Sequence, residues 1–513
     1  MLALAFACSS FENDAPAEPP GDDGGTQDAI TGVTDESFQI DELKKVSVVQ
    51  GQSVKVTLSV NRTQPLKQKQ LAIQLKLVDP PAGISIDPAK VLPDRANVEV
   101  TLKAAADAKQ GAVTLRFEGT VEGTSTRATR EVPAIVRGPT GALDTTFATE
   151  GFQTAVFGVG PNALVHRAFV LSDGKILVAA ETTNAAGYGL ARLDANGKLD
   201  TTYGDGGRFY LSEFHNGAVA FAPDGTVFLL GVDENTVATT LCRVTPAGKR
   251  DTTLNASGCV AVDVAGGWMA VAPDGNIVVA GQDPGGGIQL AKLTSSGQLI
   301  ASFGTQGKTT VKHGTSSEYV ERLVVRPDGR VLATDRTGDT TGAVFQLTAA
   351  GAVDPSFAVP KINFLQYGAP LDLFLQNDGR FVVTRGQNNN TILGGYKENG
   401  EPDPTFVGTG FPGVDGHVLA HSLVRTESGQ IAFVTCPLAG PKLFRVDDKG
   451  IPDPALPAAG LPLAIDPAPD AGIDPVKPCG PLVPAPEDRF VIAWTRKVGT
   501  PDKFDVYVAR IWN

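Results

Sequence analysis

Nowhere in this 513-residue chain is there a run of the roughly 20 apolar residues that a membrane-spanning helix needs. Lysine and arginine form no cluster, and 44 basic against 56 acidic residues leave a formal charge of −12. That balance excludes the basic footprint of a nucleic-acid-binding protein. The five cysteines make no C-x-x-C or Cys/His spacing, so no zinc site is expected. GxSxG, HExxH, a P-loop and a GxGxxG in strand–helix context are missing as well, and no metal or cofactor is expected. Only 19% of the chain is charged, yet 42% is hydrophobic, enough for packed cores. What is abundant is turn chemistry, with 58 Gly and 36 Pro. The length allows several domains, or one repeat architecture plus a module.

The start of the chain, Met1-Leu2-Ala3-Leu4-Ala5-Phe6-Ala7-Cys8, is apolar up to a small residue and a cysteine. It resembles the end of a bacterial lipoprotein signal (residues 1–8), which implies acylation of Cys8, a lipid anchor and an envelope location, with Ser9 favouring the outer membrane. Residues 9–35 carry seven Asp/Glu and no Lys/Arg among Pro, Gly and Ser, the composition of a disordered acidic tether. The other cysteines, Cys242, Cys259, Cys436 and Cys479, are an even number and allow two disulfides in an oxidising compartment. Cys242 and Cys259 flank one strand-to-strand turn. Cys436 and Cys479 bracket most of a Pro-rich insertion, 452–486, that they could staple.

Residues 36–138 alternate apolar and polar side chains. Val46-x-Val48, Val54-x-Val56-x-Leu58-x-Val60 and Leu71-x-Ile73-x-Leu75-x-Leu77 are period-two strands, and further ones are read at Ile84–Ile86, Val98–Leu102, Val113–Phe117 and 127–136. About seven short strands in some 100 residues predict a β-sandwich. Pro81-Ala82-Gly83-Ile84 and Lys109-Gln110-Gly111-Ala112-Val113 resemble bacterial immunoglobulin-like modules, which implies a spacer.

From residue 139 the chain repeats. Turns between apolar runs, Asp-Gly in five copies and Ser428-Gly429 in a weaker sixth, place glycine at 174, 225, 275, 329, 379 and 429, which are 51, 50, 54, 50 and 50 residues apart, with a degenerate seventh copy at Glu487-Asp488. A second element, such as Ala191-Arg192-Leu193 or Ala509-Arg510-Ile511, follows each turn. A third is Asp-x-x-aromatic, as at Asp144…Phe147 and Asp200…Tyr203. The recurring Arg192, Arg243, Arg445 and Arg510 read as packing or salt bridging within the repeat. The chain opens on the third element and closes on the second, so Phe152–Phe157 can complete the last unit. Termini that complement one another predict a closed ring: an all-β chain in which a seven-bladed β-propeller, 139–513, follows the immunoglobulin-like β-sandwich. The run Asp173-Gly174-Lys175-Ile176-Leu177-Val178-Ala179 with Ala191-Arg192-Leu193-Asp194-Ala195-Asn196-Gly197-Lys198-Leu199-Asp200 resembles the delta-60 repeat. That family implies a β-propeller and an extracytoplasmic setting but no activity.

Counting back from each turn glycine gathers His166, Arg167, Trp268, Glu321, Arg322, Asp372 and His421 at one mouth of the central channel. Two arginines and a tryptophan there suit an anionic sugar or a carboxylate, by forked hydrogen bonds and ring stacking. The expectation is a monomeric, surface-anchored lipoprotein whose propeller binds an envelope polysaccharide or protein partner without catalysis. The alternatives are an enzyme acting on a carbohydrate, with Glu321, Asp372 or His421 as acid/base, and a scaffold with no small ligand.

Overall fold

The computed structural model describes residues 36–513 apart from 159–161, 183–186, 213, 234–238, 265–266, 284, 313–317, 338–340, 359–360, 364–371, 388–389, 409, 413–422, 436–439, 466–478 and 500–502. Cys8, the 9–35 segment, His421 and Cys436 therefore lie outside the described residues.

Alternation does in the N-terminal region what the sequence implies. Strand Ser53–Arg62 buries Val56, Leu58 and Val60 and turns the residues between them outward. Two sheets face each other over a core that includes Leu58, Ile73, Leu102, Phe117 and Val132. One orders Phe38–Ile40, Ser53–Arg62, Asn97–Ala104 and Ile84–Ile86. The other orders Val46–Val49, Arg127–Arg137, Gly111–Val121, Ile73–Val78 and Ala89–Val91. The described strands here number nine, two more than the periodicity gave, because Phe38–Ile40 and Ala89–Val91 are too short to show an alternation.

From residue 152 onward the described strands form seven four-stranded antiparallel sheets. In the first six, sheet order follows chain order. In the seventh, Phe152–Gln153 supplies the outermost strand, with Phe152 opposite Ala509 of strand Lys503–Trp512. Each sheet packs on the next through its own apolar cluster. Leu177 and Leu190 meet Val219 and Leu229 between the first and second sheets, and Val434 and Leu443 meet Ile492 and Trp494 between the sixth and seventh. Val491 and Val506 of the seventh then pack on Ile176 and Val178 of the first, which closes the ring. Strands covered on both faces lose alternation, and Ile176–Thr182 is buried at all positions but Glu181. The architecture is a β-propeller.

The repeated residues explain how one sheet grips its neighbour. Nε of Arg192 donates to Asp200 at 2.9 Å, and that of Arg243 to Asp251 at 2.7 Å, while Nη2 of Arg445 lies 2.9 Å from Asp453. Each aspartate also accepts from the backbone N–H two residues on, such as Thr202 at 3.1 Å. Arg192 and Arg243 reach on to backbone carbonyls of the next sheet, Pro246 and Ser295. The aromatic of the third element is pressed against a glycine of the following unit. A Cβ on Gly197 would lie 2.6 Å from the Phe147 ring, and one on Gly248 or Gly351 would lie 2.8 Å from Tyr203 or Phe303. These glycines also hold φ of 73–86°, so both the backbone and the ring require them.

Ring closure uses the same device across the whole chain. Nε of Arg510 donates to Asp144 at 2.7 Å, Arg489 donates to the same oxygen at 2.8 Å, and Nη1 of Arg510 reaches the carbonyl of Ala195. Asp144 is fully buried. Burial pushes its carboxyl upward, but Arg510, Thr146 and Arg489 outweigh that and hold it below the usual range.

Where the repeat decays, other residues take over. Gly395 stands where Arg192 stands in the first unit and leaves room for Phe406; the cation comes instead from Arg380, whose Nη1 donates to Asp403 at 3.2 Å. The Asp194–Gly197 loop is a turn in which Asp194 accepts from Asn196 and Lys198 at 2.9 Å.

The sandwich is docked on the ring by the C-terminal strand. Trp512, fully buried, donates to Gln110 at 3.0 Å and lies between the guanidiniums of Arg137 and Arg489, 5.5 and 5.3 Å from its ring centre. Arg137 also holds the carbonyl of Asn513 at 2.8 Å.

Candidate functional site

The innermost strands of six of the seven sheets line a central channel of about 640 Å³. Four of these strands carry an extra residue against their partner, and in two of them the slip falls at a channel arginine: the register of Ala163–Val170 slips between Val165 and Arg167, and that of Glu318–Val325 slips between Val320 and Arg322. A bulge re-aims side chains. It turns Arg167 and Arg322 into the channel and leaves His166 and Glu321 at the irregular position. The strand Trp268–Val271 between them opens on Trp268.

Arg167, Trp268, Arg322 and Asp372 come together as the sequence predicts. The guanidinium carbons of Arg167 and Arg322 lie 5.1 and 5.7 Å from the Trp268 ring centre. Nε of Arg322 is 3.1 Å from Oδ1 of Asp372. Asp372 is buried and further engaged: it accepts from the backbone N–H of Leu373 and of Leu423, both at 3.0 Å. Arg167 has no hydrogen bond or ion pair among the described residues. Burial, then the charge of Arg322, pulls its guanidinium down to about 9, with Asp372 acting the other way, so it stays cationic at neutral pH.

His166 also lines the channel, in edge contact with Tyr188, the ring centres 6.0 Å apart. Its side chain is exposed to the water of the channel and surrounded by the channel walls. Enclosure first, and Arg167 second, push it down to about 4, so it is neutral at physiological pH. Tyr188 spans two sheets, donating to the carbonyl of Gly217 at 2.7 Å and accepting from its N–H at 2.8 Å.

Three expectations need correction or qualification. Glu321 does not join the arginines: its carboxylate is taken by Arg336 on the adjacent strand, with Nε 2.9 Å away, because the bulge turns it sideways. Burial raises its pKa and Arg336 opposes the rise. Trp268 is not a bare stacking platform, since two guanidiniums already share its ring. His421 falls outside the described residues. No sequence signal marks Tyr188, whose role depends on a glycine in the next sheet. Of the cysteines, Cys242 and Cys259 form a disulfide between directly opposed residues of neighbouring strands, Cα atoms 4.0 Å apart. The Cys436–Cys479 pairing lies outside the described residues.

A family model described as a domain of unknown function (DUF5122) β-propeller matches residues 171–203. No curated protein matches the chain. Among solved structures, the chain is similar to prolyl oligopeptidase B from Galerina marginata at 10% identity and a TM-score of 0.36, covering 65% of this chain and 47% of that one. It is similar to regucalcin, a calcium-binding protein from Agrobacterium tumefaciens, at 14% identity and a TM-score of 0.34, covering 57% and 89%. A quinonprotein alcohol dehydrogenase-like protein from Bacteroides thetaiotaomicron gives 10% identity and 0.28, covering 71% and 95%. The chain thus spans about half the length of the prolyl peptidases it matches. We carry none of those proteins' chemistry over. Fold and family match together define a β-propeller protein, with the channel as its candidate site.

Proposed function

We propose that this chain is a non-enzymatic binding module: a seven-bladed propeller of the delta-60 kind behind an immunoglobulin-like sandwich, held to the cell envelope through a lipid on Cys8. The channel supports this reading. Of its two arginines, Arg167 has no acceptor among the described residues and lines a concave site of about 640 Å³, a volume suited to a small ligand or the end group of a polysaccharide. Of the three groups that could serve an enzyme acting on a carbohydrate, Asp372 and Glu321 are each paired with an arginine, which disfavours an acid/base role for them, and His421 lies outside the described residues. Docking of the sandwich through Trp512 fits a rigid arm that presents the ring away from the membrane.

Thermal unfolding of the full chain with a panel of envelope glycans and peptidoglycan fragments tests the reading. A ligand at one hundred times its dissociation constant adds about 2.7 kcal/mol. A raised midpoint that Arg167→Ala abolishes supports the channel as the binding site. No shift with any member of the panel sinks it in favour of a scaffold. Anchoring is tested separately, by fatty-acid labelling of intact cells and its loss in Cys8→Ser.

A further inference from the structure

The two channel arginines are chemically alike and differ in one respect: the protein already supplies a carboxylate to one of them. Asp372 lies 3.1 Å from Nε of Arg322 as its ion-pair partner and is itself fixed by two backbone N–H donors, so the charge of that arginine is matched within the protein. Arg167 faces the same space with no acceptor among the described residues. Its guanidinium carbon lies 5.1 Å from the Trp268 ring centre, a contact that holds the group at the channel and supplies no acceptor for its N–H donors.

We propose that Arg167 is the open anion-binding position of the channel and that it takes a single carboxylate of a small ligand, an acidic sugar before all other sources. This rests on the binding-module reading above. The Arg322–Asp372 pair shows within the protein a guanidinium beside Trp268 matched by a carboxylate, and the ligand repeats that pairing at Arg167. With two guanidiniums, one fixed carboxylate and a neutral His166, these channel groups carry a net charge of one positive unit. One carboxylate neutralises it, and a dicarboxylate brings a second charge with no open partner. Trp268 acts here as a positioning residue that holds both guanidiniums, and its ring is not offered to the face of a sugar.

Calorimetric titration of the full chain tests this with the methyl glycoside of glucuronate, the uncharged methyl glucoside and N-acetylglycine, each at low and at physiological salt. Glucuronate is expected to bind and the glucoside to fail, with affinity falling as salt rises. Binding of N-acetylglycine in place of glucuronate keeps the carboxylate assignment but moves its source to a peptide. Arg167→Gln is expected to lose about 10- to 100-fold, in line with a charge-assisted forked hydrogen bond. Arg167→Lys retains charge without the fork and falls between. Unfolding midpoints of both variants establish that each is folded. Asp372→Asn, which frees Arg322, is expected to improve binding of a dicarboxylate over the parent. Equal binding of glucoside and glucuronate, or an unchanged affinity in Arg167→Gln, overturns the proposal while leaving a binding module standing. If no probe binds and the glycan panel moves no midpoint, both readings fall.

Discussion

At the rim of the ring, Arg192, Arg243, Arg445 and Arg510 each lie 2.7–2.9 Å from an aspartate of their own repeat; in the channel, Arg322 has such a partner and Arg167 has none among the described residues. The rim arginines recur at every unit that keeps the pattern, and where Gly395 interrupts it, Arg380 restores the charge. The channel positions change from sheet to sheet, from Arg167 to Ala218 to Trp268, back to arginine at Arg322, and then to Asp372. Residues that repeat with the sheets hold the sheets together, because every sheet faces the same packing problem. Residues that break the repeat are free of that constraint, and a cation left unpaired there is one the fold does not need.

The largest test of this contrast is Asp144→Ala, which strips two arginines of their shared buried acceptor at the closing sheet. Breaking a buried pair costs about 3–5 kcal/mol, and the unfolding midpoint should drop accordingly. A loss below about 1 kcal/mol would mean that the closing staple is ornamental. Next comes the disulfide. Replacing Cys242 and Cys259 together by serine opens a 17-residue loop and should cost about 3 kcal/mol in denaturant titration under oxidising conditions, and nothing further on reduction.

Gly197→Ala forces a methyl towards the Phe147 ring at φ +86°, and should cost about 1–3 kcal/mol in chemical denaturation. The same substitution at Gly275, with nothing within 4 Å, isolates the backbone part, and equal losses at both sites would remove the ring contact from the account. In the channel, by contrast, Arg167→Gln should leave stability within about 1 kcal/mol of the parent or raise it, since no partner is orphaned.

The smallest effect concerns pH. His166 is held at about 4, below its ordinary 6.5, so the unfolded chain takes up a proton before the folded one does. Its contribution is complete above pH 6.5 and is lost as the pH falls from there through about 4. The rim carboxylates Asp144, Asp200 and Asp251 are held below 3.8 and lose theirs at lower pH still. Midpoints measured from pH 7 to 4 should therefore decline, and less so in His166→Asn. An identical decline in that variant would assign the window to other groups.

Much of the fold was legible. Asp-Gly turns at a 50-residue spacing mark hairpins because a glycine at positive φ is the cheapest way to reverse a strand, as at Gly174 with φ 79°. Even the seventh turn, where Asp488 takes φ 57° without a glycine, was locatable by phase. The site was legible only in outline. Counting from the turns brought Arg167, Trp268, Arg322 and Asp372 to one place, because equivalent positions in a ring share a radius. It could not say that Glu321 would be taken by Arg336, since a one-residue bulge decides that.

The sequence by itself determined the repeat, the strands, the turns and the complementary ends, all of which follow from local backbone preference and periodic burial. Only the tertiary structure decided which charges are paired. Pairing of Arg510 with Asp144 across 366 residues, and the isolation of Arg167 from any acceptor among the described residues, depend on closure of the ring and on bulges in its inner strands. Coulombic and hydrogen-bond contacts act over a few ångströms, and those distances exist only once the chain has closed on itself.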